Sequence, residues 1–151
     1  MGKEYTDLSK KRLSIAKEYL DKLKEKMGDH LISAYIYGST AKNIPRENSD
    51  IDIILVVKKP SREEKFFMNS EKGGLFNKER QGCLNFAFNS HYLWVFLREL
   101  QKKYSIEISP YYHYEDEGLD FKIREAPFCL KNILAEPTLK YPNDFKNISY
   151  L

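Results

Sequence analysis

The segment Tyr37-Gly38-Ser39-Thr40-Ala41-Lys42, followed after a polar spacer by Ser49-Asp50-Ile51-Asp52-Ile53-Ile54-Leu55-Val56-Val57, decides how this chain is read. Leu31 to Tyr37, rich in Ile and Tyr, predicts a strand that Gly38 closes. Asp50 to Val57 predicts a second strand. Beyond its carboxylates it is apolar on both faces, as expected of a strand inside a covered sheet. Residues two apart on a strand share a face and rise about 3.3 Å per step, so Asp50 and Asp52 project side by side. Two ionised carboxylates that close repel each other unless a cation neutralises them. Mg²⁺ is the natural counter-ion, because it takes hard oxygen ligands and is commonly held by one or two carboxylates plus substrate phosphates. The Gly38-Ser39 turn supplies the other half. A turn after a strand offers backbone amides to an anion, and glycine lets the backbone approach closely. The Ser39 hydroxyl can donate to a phosphate oxygen, and Lys42 and Arg46 add positive charge in the same loop. Neither a Walker A loop nor a G-x-G-x-x-G fingerprint is present.

Working outward, Leu8, Ile15, Ala16, Tyr19, Leu20, Leu23 and Met27 recur at three- and four-residue steps and predict a first helix. Asp7 or Thr6 caps it and Gly28 ends it. Ser61 and Glu64 have the spacing of a capping box, opening a short helix through Phe66, Phe67 and Met68 that Gly73-Gly74 breaks. A longer helix follows, from Lys78 or Leu84 to Lys103. It carries one stripe of Phe86, Leu93, Leu97 and Leu100 and a second of Phe88, Tyr92 and Phe96, which predicts burial on two sides or contact with a partner. Tyr104 to Tyr112 predicts a third strand, with Ile106 and Ile108 on one face and Glu107 on the other. After the acidic loop Glu115-Asp116-Glu117-Gly118, Pro127 is expected to open a helix through Phe128, Leu130, Ile133 and Leu134 that stops before Pro137. The tail from Asn143 is polar and expected to be loosely held.

Gly38-Ser39, the spacer, and Ser49-Asp50-Ile51-Asp52 with its apolar strand resemble the signature of the polymerase-β nucleotidyltransferase superfamily. The match is closest to its small stand-alone branch, the minimal nucleotidyltransferases. Lys42 stands where Arg is usual there. Ala126 to Glu136, with Leu139 and Tyr141, resembles the closing helix and short strand of these domains, with Pro137 in place of a more usual Gly. The likeness covers residues 7 to 57 and 104 to 141, and residues 61–103 are an extra helical segment. It implies an α/β (α+β) fold: one nucleotidyltransferase domain over residues 1–151, with a small mixed sheet flanked by helices. It further implies that Asp50 and Asp52 hold two Mg²⁺ ions. A third carboxylate from a later strand completes such a site and helps activate the acceptor hydroxyl. Glu107 fits that place, although Asp is more usual, and Glu115, Asp116 or Glu117 are alternatives. Gly38, Ser39 and Lys42 are the nucleotide-binding residues implied.

The remaining features bound the setting. The chain has 151 residues, room for one ordinary domain. A net charge of +3 falls short of a basic nucleic-acid stripe, so nucleic acid is not the expected partner. Cys83 and Cys129 form no C-x-x-C pair and are expected as reduced core thiols. No apolar signal region opens the chain, and the apolar runs Ile53–Val57 and Leu93–Leu97 are too short to span a bilayer. A soluble, cytoplasmic protein is expected. His30, His91 and His113 are too dispersed for a metal site, and Tyr111, Tyr112 and Tyr114 are expected to pack rather than to stack on a base. Two functions compete. In the first, the protein transfers a nucleoside monophosphate, AMP from ATP, to a protein or small-molecule acceptor. A small helical protein partner, as in a toxin–antitoxin pair, is one form of it. In the second, it is a non-catalytic nucleotide- or partner-binding module.

Overall fold

The computed structural model describes residues 4–58, 86–123, 126–148 and 150, with backbone alone for residues 86–94. The expected Ser61 capping box, the short helix at Phe66–Met68, the Gly73-Gly74 break and Cys83 lie outside the described residues. Helix α1 spans Asp7–Met27, and the Thr6 hydroxyl caps it by accepting from the Ser9 amide at 3.2 Å. Gly28, at φ +57°, ends it with its amide on the Lys24 carbonyl. The predicted apolar stripe is buried except at Leu8, which is exposed, while Arg12 is 1% exposed. Near the start of α1, Arg12 reaches the loop before Asp50 and donates to the carbonyls there.

The sheet holds β1 (Leu31–Tyr37), β2 (Ile51–Val57), β3 (Ile108–Tyr114) and β4 (Leu139–Tyr141) in the order β3-β2-β1-β4. β1 runs antiparallel to both neighbours, and β2 and β3 are parallel. The sheet is therefore mixed, as expected. A parallel pair needs a long return, since its strands cannot be joined by a hairpin. Here that return includes α3 (Phe86–Tyr104), which packs beside α1.

The two faces of the sheet bury different clusters. Ile51, Ile53, Leu55 and Val57 of β2 pack with Leu13, Tyr19, Leu20, Leu97 and Leu100 of the two long helices. Ile54 and Val56 pack on the opposite face against Ile123, Leu130 and Ile133. A fully buried aliphatic side chain contributes roughly 1.5–3 kcal/mol. β2 is thus anchored from both sides, and the two aspartates at its start stand on a rigid element.

Four expectations are corrected. The third strand starts at Ile108 rather than Tyr104, because α3 runs on through Tyr104 before Ser105 turns at φ +56°. Its amide bonds the Gln101 carbonyl at 2.8 Å, and the Gln101 side chain accepts from the Ile108 amide at 2.8 Å. Pro127 does not open the late helix. Helix α4 spans Leu130–Leu134, and Asn132 Oδ1 accepts from the amide of its cap, Cys129, at 3.0 Å. Cys129 is therefore a half-buried cap rather than a core thiol. The tail is not loose, since Phe145 is 3% exposed in the larger core and the Tyr150 hydroxyl donates to the Phe145 carbonyl at 3.4 Å. The 3₁₀ turn Asn143–Asn147 brings Phe145 edge to face with Tyr141, at 5.7 Å between centroids.

Candidate active site

Three neighbouring pieces of chain meet at the end of the sheet: the turn after β1, the start of β2 and the start of β3. Asp52 pairs with Tyr37 across the antiparallel ladder and with Ser109 across the parallel one. Ile51 and Ile53 face the long helices, so alternation sends Asp50 and Asp52 to the opposite face. Both carboxylates are half-buried. The Ser109 hydroxyl donates to Asp50 Oδ2 at 3.1 Å and fixes that side chain.

Burial, and then the charge of Asp50, raise the Asp52 carboxyl from the ordinary 3.8 to about 6. The same burial, followed by Asp52 and Tyr111, pushes the Tyr37 hydroxyl far above its usual range, so it stays a neutral donor. Two neighbouring carboxylates of like charge are the electrostatic setting that a hard divalent cation relieves. Asp50 and Asp52 therefore fit such an ion in charge and in ligand type.

Gly38 sits at φ +72°, and a Cβ built there would overlap Asp52 Oδ2. Glycine is required twice over, by the left-handed backbone and by the close approach of the carboxylate. The following residues form the single-turn helix α2 (Gly38–Ala41), in which Ser39 is half-buried. Lys42 caps this turn and makes a 3.6 Å ion pair with Glu136 beyond α4. Arg46 contributes through its backbone, its carbonyl accepting from Arg12 and its amide bonding the Ser49 hydroxyl at 2.7 Å.

Among the described residues, no group of three His, Cys, Asp or Glu is gathered that could hold a metal. Glu107 is exposed, just before β3, with its carbonyl accepting from the Ile51 amide at 2.9 Å. Ile106 and Ile108 on either side of it are buried, so Glu107 lies with Ser109 on the aspartate face but does not join the pair. The alternatives Glu115, Asp116 and Glu117 are excluded by register. Glu115 bonds the Val57 carbonyl at the far end of β2, roughly 20 Å from Asp50 at the rise of a strand.

Two contributors escaped the sequence reading. Arg12 donates to four carbonyls: Leu8 at 3.3 Å, Arg46 at 2.8 Å, Glu47 at 2.8 Å and Ser49 at 3.1 Å. It ties α1 to the loop that delivers Asp50. A cation inside an apolar helical stripe was the available signal. Ser109 stands two residues after Glu107, and the same alternation that singled out Glu107 marks it too. His113 is buried, with Nε2 3.3 Å from the Glu117 carbonyl, and plays no part at this end of the sheet. Tyr111 meets Phe128 edge to face at 5.9 Å, and Tyr112 meets Tyr114 at 5.6 Å, which is the expected packing role.

Residues 16–89 match the family model described as "Polymerase beta, Nucleotidyltransferase", a span that holds Gly38, Asp50 and Asp52 and runs on past residue 57. A curated relative, "Putative protein adenylyltransferase MJ1305" of Methanocaldococcus jannaschii, is 42% identical over 45 residues, 30% of this chain. The match spans 31% of that relative's length. A solved structure titled as a "putative nucleotidyltransferase" from Sulfolobus solfataricus superposes with a TM-score of 0.43 at 23% identity, over 86% of this chain and 98% of that one. Among the described residues, no helix is long and apolar enough to cross a membrane.

Proposed function

This chain belongs to the polymerase-β-type nucleotidyltransferase superfamily, and we propose that it transfers AMP from ATP to a side-chain hydroxyl of a protein acceptor. The observation that carries the reading is the Asp50–Asp52 pair, with Asp52 lying against a glycine whose missing Cβ makes room for the carboxylate. In this reading an acceptor oxygen attacks the α-phosphorus, the bond to the β-phosphate breaks, and pyrophosphate leaves with the electron pair. Two Mg²⁺ ions held by Asp50 and Asp52 would stabilise the attacking and leaving oxygens together. The protein's own part is positioning and charge. Ser39 and Lys42 orient the phosphates, with Lys42 exchanging its Glu136 partner for the triphosphate. Ser109 keeps Asp50 in its rotamer. Glu107, exposed on the same face, receives the acceptor proton.

The relative named as a protein adenylyltransferase supports a protein acceptor. We place that acceptor on a small helical partner, the arrangement of an antitoxin that adenylylates its toxin, within the stand-alone branch of the superfamily and in the cytoplasm. The test is incubation with α-labelled ATP, Mg²⁺ and candidate acceptors, beginning with the product of the adjoining reading frame. Label should move to protein with the wild type, fall sharply with Glu107→Gln, and vanish with Asp52→Ala. Equal labelling by wild type and Asp52→Ala would sink the reading. ATP binding without pyrophosphate release would favour a binding module instead, a reading the ungathered third carboxylate also suits.

A further inference from the structure

A pocket of about 250 Å³ opens beside the aspartates, between the turn after β1 and helix α4. Its lining is mostly apolar, formed by Tyr37, Phe128 and Ile133, with Lys42, Asn132 and Glu136 as its polar members. Gly38 also lines it, and Gly38 abuts the Asp52 carboxylate, so an occupant lies next to the pair.

The aromatic wall is held in place. Phe128 meets Tyr37 edge to face at 5.9 Å and 69°, and meets Tyr111 at 5.9 Å and 88°. A ring fixed from two sides loses little freedom when a flat ligand packs on it. Asn132 is oriented as well. Its Oδ1 accepts from the Cys129 amide at 3.0 Å and from the thiol at 2.9 Å, which leaves the amide nitrogen as the donor for an occupant. The volume lies below the roughly 300–1,000 Å³ usual for whole drug-sized ligands, so the pocket takes one ring system and not an entire nucleotide.

An uncharged flat head is called for by the wall, and an anionic tail by Lys42 and by the neighbouring carboxylates, which a divalent cation would bridge to phosphate. Resting on the nucleotidyl-transfer reading, we propose that this pocket receives the nucleobase of the triphosphate, leaving the phosphates beside Ser39 and Lys42. A nucleobase is π-faced and fits an aromatic wall whatever its identity. The Asn132 amide nitrogen then offers it one hydrogen bond to a ring nitrogen or carbonyl.

The test compares binding of ATP and of inorganic tripolyphosphate, each with Mg²⁺, by calorimetry. Two variants are used: Ile133→Phe, which fills the pocket, and Phe128→Leu, which keeps an apolar side chain but removes the ring. Thermal melts show that each variant is folded. Wild type should bind ATP more tightly than tripolyphosphate. Both variants should lose about tenfold in ATP affinity, the size of one base-stacking contact, with tripolyphosphate affinity unchanged. Equal losses for both ligands, or equal wild-type affinities for both, would overturn the base pocket while leaving the phosphate site intact. Binding of neither ligand by wild type would overturn the nucleotide reading itself, and the pocket assignment with it.

Discussion

Gly38 and Asp52 occupy each other's space: the glycine's missing Cβ is where the carboxylate Oδ2 lies. The contact joins the turn after β1 to the start of β2 and leaves the carboxylate no room to swing toward the turn. Gly38→Ala should therefore cost stability and displace the carboxylate at once. The left-handed backbone alone makes an L side chain unfavourable by about 1–2 kcal/mol. The expected result is a lower urea midpoint together with loss of Mn²⁺ binding followed by paramagnetic resonance. Unchanged cation binding in a destabilised variant would show that the contact is structural only.

The raised Asp52 carboxyl makes stability depend on pH in a stated direction. Its folded value of about 6 exceeds the ordinary 3.8, chiefly through burial and secondarily through Asp50. Between those values the folded chain keeps a proton that the unfolded chain has released. The Asp52 contribution to stability is thus greatest below the lower value and falls as pH rises through the upper one. Without added cation, Asp52→Asn should flatten this fall and be more stable than wild type at pH 7 to 8, as read by urea melts along the series. Cation affinity of the wild type should weaken as pH drops below about 6, because the proton competes with the metal.

Arg12 joins α1 to the loop before Asp50 through three carbonyls, those of Arg46, Glu47 and Ser49, so its loss leaves buried acceptors unpaired. Arg12→Ala should destabilise the protein by about 2–4 kcal/mol in urea unfolding, the range for breaking a buried network of charge-assisted bonds. Arg12→Lys should recover little, since an ammonium lacks the planar fork that spans Arg46, Glu47 and Ser49. Full recovery by lysine would show that only the charge matters.

Phe145 makes the last turn part of the core. Phe145→Ala should cost about 3–5 kcal/mol, the usual loss for a buried aromatic side chain. Its exposed neighbour Lys146 should tolerate alanine within about 0.5 kcal/mol. Chemical denaturation of the two variants side by side distinguishes a docked tail from a loose one.

The readable part of this protein was local. β1 ends at a glycine and β2 begins beside two aspartates because strand alternation and the needs of a tight turn act over a few residues. The turn at Gly38-Ser39 and the side-by-side placing of Asp50 and Asp52 could therefore be read from spacing, as could the helix stripe and the isolation of Glu107 between two isoleucines. Boundaries drifted where local signals competed, as when α3 ran on through Tyr104 and a cysteine rather than a proline preceded α4.

What tertiary structure decided was everything that depends on register and on contacts distant in sequence. Parallel pairing of β2 with β3 set Ser109, not a carboxylate, beside Asp50, and carried Glu115, Asp116 and Glu117 to the opposite end of the sheet. Burial of Arg12 followed from a loop some 35 residues further along presenting its carbonyls beneath α1. The elevated Asp52 carboxyl required both the burial and the Asp50 neighbour that only the folded sheet provides. Short-range sterics and periodicity are written in the order of residues, whereas desolvation and cross-strand partnership exist only once the chain has closed on itself.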